Sequence, residues 1–161
     1  MRIFHFLTLL LLGCQPALAR LGESPQAMQQ RYGPAISSGS LPGFTQSVYE
    51  KQSFQITVFY KDGGSVLEKF ARRGLDQATA QQVVVLVAAG SIGCPDAGQE
   101  AQIRQASGIT SKAEVFWTWT HGSETINAAF DPLECCVAFF GDPSDYASVQ
   151  QALASAPLPG G

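Results

Sequence analysis

The stretch EVFWTWTHGSETINAAFD, residues 114–131, restricts the fold more than any other part of the chain. Its centre offers a two-residue Gly122-Ser123 turn with glycine at the first central position, the chemistry of a tight hairpin. Counting outward pairs His121 with Glu124, Thr120 with Thr125, Trp119 with Ile126, Thr118 with Asn127 and Trp117 with Ala128. Every apolar residue then meets an apolar one and every polar residue a polar one, so turn and side-chain pattern ask for the same register. Cys135 to Phe140 reads as a third strand.

The same alternation recurs upstream. Phe54, Ile56, Val58 and Tyr60 alternate with Gln55, Thr57, Phe59 and Lys61, the period of a half-buried strand. Ser47 to Glu50 precedes it across a short KQS connection, and Ser65 to Arg72 follows the Asp62-Gly63-Gly64 turn, which makes three antiparallel strands. Residues 35–44, AISSGSLPGF, read as a loop. Helices are marked by their ends. Ser24 as N-cap, Pro25 at the first helical position and the Gly33-Pro34 stop enclose one, with Met28 and Tyr32 on its buried edge. Asp76 as N-cap, Leu75 before it and Gly90 after it enclose a second, rich in valine. Ser144 opens a last helix through Ala154, capped from Asp142-Pro143, and residues 91–112 offer one short helical turn around Glu100 to Ala106.

The predicted order is α-βββ-α-βββ-α. It divides into residues 20–73, a helix plus three-stranded meander, then 74–143, a second such unit, then 144–161, a C-terminal helix and a disordered PLPGG tail. Residues 20–161 are expected to form one compact domain. The class is α+β, with antiparallel meander sheets, helices packed on one face and an internal duplication as a hypothesis.

Residues 1–19 have the pattern of a signal peptide: Arg2, then the apolar run Ile3 to Leu12, well short of the roughly 20 residues a spanning helix needs. Two processing sites compete. Ala17-Leu18-Ala19 is a secretory cleavage site that would start the mature chain at Arg20, and Pro16 breaks the helix just before it. Leu11-Leu12-Gly13-Cys14 is a lipid-attachment box, with Leu12 bulky for its position and only a short tether from Cys14 to the first helix. The predicted location is secreted or periplasmic, or lipid-anchored to the envelope if Cys14 is acylated.

Cleavage after Ala19 removes Arg2 alone among the charged residues and moves the formal net charge from −3 to −4. Charged residues make up only 14% of the chain, with no basic run beyond Lys69, Arg72 and Arg73, so nucleic acid is not an expected partner. Those three cations read as solvating a strand end, against the alternative of an anion site.

Cleavage at that position would leave Cys94, Cys135 and Cys136 in an oxidising compartment. Cys135 and Cys136, adjacent on the expected strand, point to opposite faces, so one of them can pair with Cys94. Three buried thiols without a bridge are the alternative. No histidine lies at ligand spacing from these cysteines, and no phosphate loop or calcium loop is present, so neither metal nor cofactor is implied.

An enzyme reading would use Cys135 or Cys136 as nucleophile and His121, the one histidine after residue 19, as base. The cysteines sit in an apolar strand, which blunts a thiol, and His121 stands where a hairpin turn wants a polar residue anyway. No catalytic set is assigned. Trp117 and Trp119 fall on one sheet face, either as binding aromatics or as core beside Val115, Ile126 and Phe130. The hairpin register places them on the apolar face.

Gly22-Glu23-Ser24, Met28, Tyr32, Gly33 and Pro34 resemble the opening of small outer-membrane-assembly lipoproteins. The doubled helix-plus-meander plan is similar to that of tandem-repeat β-lactamase inhibitor proteins. The helix ending in Arg31-Tyr32-Gly33, with Tyr49, Lys51, Phe54, Ile56, Val58 and Tyr60 after it, resembles a family of short secreted bacterial proteins. These resemblances imply an exported, non-catalytic binding or envelope-assembly module whose partner is a protein or envelope component. They leave membrane contact to the lipidated form and the oligomeric state open.

Overall fold

The computed structural model describes residues 21–88, 92–109, 115–121 and 123–156. Cys14, Ala19 and Arg20, which carry the two processing readings, lie outside the described residues, as do Gly90, Gly122, the side chain of His121 and the PLPGG tail. The elements are α1 (Pro25–Tyr32), β1 (Ser37–Leu41), β2 (Phe44–Lys51), β3 (Phe54–Lys61), β4 (Gly64–Ala71), α2 (Gln77–Ala88), α3 (Ala97–Ser107), β5 (Val115–His121), β6 (Glu124–Asp131), β7 (Cys136–Phe140) and α4 (Pro143–Ser155).

The strands form one antiparallel sheet in the order β1-β2-β3-β4-β7-β6-β5, so the class is α+β as the sequence predicts. The β5–β6 register matches the predicted pairs residue for residue, from His121 opposite Glu124 to Trp117 opposite Ala128. Ser24 accepts from the Ala27 amide at the start of α1, and Asp142 accepts from the Ser144 amide at the start of α4.

Four features differ from the sequence reading. Residues 37–41, expected in a loop, form the edge strand β1 through a tight turn at Pro42-Gly43. SSGSL carries no apolar alternation because this strand is held mainly by its backbone pairing to β2. The short turn expected near Glu100 is the eleven-residue helix α3, opened by a reciprocal capping box between Asp96 and Gln99 and closed by Gly108 at φ 70°. Cys135 is not in a strand: with φ 49° it ends the turn before β7, so its side chain does not oppose that of Cys136 across a pleat. Lastly, helices cover both faces of the sheet.

Each face therefore has its own core. Met28 and Tyr32 of α1 and Val84 and Val87 of α2 pack over Ile56, Val58, Phe70, Trp117, Trp119 and Phe139. On the other face, Ile103 of α3 and Tyr146, Val149 and Ala152 of α4 pack over Phe44, Phe59, Leu67 and Phe140. Two covered faces explain why β7, CVAFF, is buried at every position instead of alternating. The first unit supplies four strands and the second three strands with an added helix, and β4 pairs with β7 to join them into one sheet.

Candidate functional site

Three turns meet at one end of the sheet: Gln52-Ser53 between β2 and β3, Arg72–Asp76 after β4, and Pro132–Cys135 before β7. Two clefts open there, on either side of Phe54. The larger, about 430 Å³, is lined by Ile36, Glu50, Ser53, Phe54, Gln55, Ala71, Arg72, Arg73, Glu134 and Cys135. The smaller, about 120 Å³, is more apolar and lies between Tyr32, Lys51, Phe54, Phe70, Val83 and Leu86.

The large apolar side chains left exposed among the described residues are Ile36, Val85, Leu86 and Leu133. Ile36 and Leu86 line these clefts, Leu133 directly precedes Glu134, and Val85 directly precedes Leu86. The cations follow the same geography. Arg31 pairs with Glu23, Lys61 with Asp145, Lys69 with Glu134 and Arg104 with Glu100. That leaves Lys51, Arg72 and Arg73, each lining one of the two clefts, as the described lysines and arginines without an ion pair to a described carboxylate. The Arg72 guanidinium lies over the Phe54 ring, 4.9 Å from its centroid, and the Lys51 ammonium donates to the Arg31 carbonyl at 2.6 Å. Of the basic trio noted in the sequence, Lys69 is neutralised at the strand, while Arg72 and Arg73 face the open cleft.

The opposite end is acidic. A cleft of about 320 Å³ there is lined by Glu124, Asp142 and Asp145 together with Leu21, Ser65 and Gly141. Its acids have local employment: Asp145 holds Lys61, and hydrogen bonds from Ser144 keep the Asp142 carboxyl below its ordinary range. Six residue steps along β4, roughly 20 Å, separate the two ends.

This layout does not assemble the Cys–His pair. His121 pairs with Glu124 at the acidic end of β6, and Cys136 pairs with Asp131 at the other, so about 20 Å of strand lies between them. Cys136 is buried, and desolvation, with Glu134 and Asp131 against Lys69, pushes its thiol up to about 12. Cys94, Cys135 and Cys136 are free thiols, exposed, half-buried and buried respectively, so neither the bridge to Cys94 nor the three-buried-thiols alternative describes them. Trp117 and Trp119 are 3% and 7% exposed in the first core, which removes them as binding aromatics.

No family model and no curated protein matches the chain. Among solved structures it is similar to a cysteine-rich secretory protein of Staphylococcus aureus, at 9% identity and a TM-score of 0.41. The match covers 78% of this chain and 48% of that one, so the chain spans about half the length of that protein. Likeness at this level carries nothing over. No group of three or more His, Cys, Asp or Glu among the described residues is arranged to hold a metal ion.

A buried polar cluster unforeseen in the sequence lies under α1. Glu68 is 0% exposed on the first-core face of β4 and accepts a hydrogen bond from the Tyr32 hydroxyl at 2.8 Å, while its other oxygen has no partner. Burial raises its carboxyl to about 7, outweighing the Tyr32 hydrogen bond and the Arg31 charge, which act the other way. Tyr49 and Tyr60 share a hydroxyl–hydroxyl bond of 3.0 Å on the same face. The pattern Val66-Leu67-Glu68-Lys69-Phe70 hides Glu68, because its burial follows from helices on both faces.

Proposed function

We propose that the protein is an exported, non-catalytic binding module of the bacterial envelope, and that it engages its partner through the end of the sheet around Phe54. One observation carries this reading: Lys51, Arg72 and Arg73 and the exposed Ile36 and Leu86 line the same pair of clefts, with the exposed Leu133 in the adjoining turn. Apolar side chains left in water contribute little to folding stability, and beside open clefts they are available for contact. Export rests on the signal pattern of residues 1–19, with a free chain from Arg20 or an acylated one from Cys14. The intact mass of the envelope-purified protein distinguishes the two.

The contact reading is tested in cells by placing a photocrosslinking residue at Gln55, in the larger cleft, or at Thr125, at the acidic end. Both are exposed strand positions. Adducts are expected from position 55 and not from 125. Equal yields, or adducts from 125 alone, would overturn the assignment of the site.

A further inference from the structure

We infer that α1 is a movable cover over Glu68, and that loss of the Glu68 proton lifts it from the sheet and opens the smaller cleft. The lifting is a property of α1 alone, and only its consequence for contact rests on the binding-module reading.

Glu68 sits where an ion has almost no support. In the sheet it lies between Val58 of β3 and Phe139 of β7, and all three are 0% exposed. The Tyr32 hydroxyl donates to Oε2 at 2.8 Å, and Oε1 is buried without a partner among the described residues. A neutral acid tolerates this setting at the cost of one unmade hydrogen bond, whereas a carboxylate gives up its hydration as well. The anion accepts from Tyr32 more strongly than the acid does, but one bond does not replace a hydration shell. The cation that acts on Glu68 is Arg31, and it is committed to Glu23.

The groups around Glu68 fix the sign of the effect. From α1 and the turn before it come Tyr32, Arg31 and Glu23. β3 brings Tyr60, bonded to Tyr49 of β2, and Lys51 at the end of β2 holds the Arg31 carbonyl. β7 presents Phe139, and α2, QATAQQVVVLVA, has no titratable residue. Burial holds the Tyr32 and Tyr60 hydroxyls well above the ordinary tyrosine range, so neither ionises near neutrality. Glu23 is the other carboxyl of this set, and losing its pair with Arg31 as pH falls would loosen α1. Opening that grows as pH rises therefore has the sign of Glu68 and not of Glu23.

Water reaches Glu68 most cheaply by moving α1. β4 is paired on both sides, so reaching the carboxyl through the sheet means breaking it. Of the two helices on that face, α2 buries Ala80, Val84, Val87 and Ala88, while α1 is eight residues long and buries Met28 and Tyr32 alone. The start of α1 is tied by backbone bonds of Gly22 and Glu23 to Ser65, so the end that leaves is the Tyr32 end. Tyr32 is also a wall of the smaller cleft, beside Phe54, Phe70 and Val83. Lifting it joins that cleft to the space over Tyr49 and Glu68.

The test is amide hydrogen exchange on the mature protein from about pH 4.5 to about pH 7.5, corrected for the intrinsic exchange rate at each pH. The Met28 and Gly33 amides, bonded to the Ser24 and Gln29 carbonyls, report α1. They are expected to be less protected than the amides of β3 and β4 throughout, and to lose on the order of a hundredfold in protection across the range. In Glu68→Gln the gap between α1 and the sheet is expected to remain and the fall with pH to vanish. In Tyr32→Phe, which keeps the acid and removes its bond, α1 protection is expected to be lower at each pH and still to fall. Near-ultraviolet circular dichroism of the buried tryptophans verifies that both variants are folded. Measurements on the parent alone are enough to overturn the inference. Equal protection of α1 and the sheet at every pH would mean that Glu68 is uncovered only by global unfolding. Low α1 protection that is flat in pH would mean that the helix frays without uncovering the acid. A fall with pH that survives in Glu68→Gln would belong to another group and would also overturn it. Absence of adducts from position 55, with α1 opening as described, would overturn the binding-module reading and leave the lifting of α1 standing.

Discussion

The two hairpin turns that flank β3 use opposite solutions to the same geometric problem. At the acidic end, Asp62-Gly63 takes φ values of 52° and 84°, the left-handed pair a two-residue loop needs, with residues suited to it. At the Phe54 end, Gln52 and Ser53 take 52° and 67° with side chains that favour neither, and Cys135 nearby takes 49°. The contrast extends to charge and apolar surface. At the acidic end, Lys61 and Asp145 pair and Asp142 caps a helix. At the Phe54 end, Lys51, Arg72 and Arg73 make no ion pair with a described carboxylate, although Arg72 adds to the Thr79 hydrogen bonds that hold the Asp76 carboxyl below its ordinary range, and Ile36 and Leu133 are exposed. The groups at one end are held by its own folding interactions, while the other end keeps the strained turn and the exposed apolar side chains.

The largest expected effect breaks the comparison if apolar side chains at the tips turn out to be structural. Trp119→Ala, in the first core against Phe139, is expected to cost about 3–5 kcal/mol in denaturant unfolding. Leu133→Ser is expected to stay within about 0.5 kcal/mol of the parent. Comparable losses from both would place Leu133 in the folding economy and remove it from the contact surface.

The next effect concerns Glu68, an incompletely partnered carboxyl that lies inside the molecule and not at its end. Its folded value is raised to about 7 from the ordinary 4.5. Between those values the folded chain keeps a proton that the unfolded chain has lost, so stability falls as pH rises through this window and levels off above it. The contribution is at most about 3 kcal/mol. Glu68→Gln keeps an acceptor for Tyr32 and removes the charge, so its unfolding free energy is expected to gain on that of the parent as pH rises. Parallel pH profiles for the two proteins would contradict the burial of a titrating acid at this position.

The smallest effects sharpen the comparison of turns. Gly63→Ala is expected to cost about 1 kcal/mol, and Ser53→Gly to add up to about 1 kcal/mol, both read from urea midpoints. A loss from Ser53→Gly would mean that the Gln52-Ser53 turn is as well fitted as its counterpart.

Legibility in the sequence followed the same division. The β5–β6 register was readable to the residue because both strands alternate and the turn fixes the count. The caps at Ser24 and Asp142 were readable because a local side chain makes each bond. β1 was not, since SSGSL shows no apolar side and its partners are the backbone groups of residues 44–48. α3 left a signal that composition obscured: the Asp96–Gln99 spacing of a capping box stands in a stretch rich in Gly, Gln and Ser. The candidate site was legible only as Arg72 and Arg73. Ile36, Lys51, Leu86 and Leu133 reach it from distant segments, and no local pattern brings them together. The placement of Cys136 and His121 at opposite ends of β6 was likewise a matter of strand direction.

The most direct measurement is the in-cell photocrosslinking yield of the full chain with the reactive residue placed in turn at Gln52 or Arg73 and at Glu124 or Thr125, all exposed positions. Adducts should form from the two positions at the Phe54 end and not from the two at the acidic end. Equal yields from both ends, or adducts from the acidic end alone, would contradict the account.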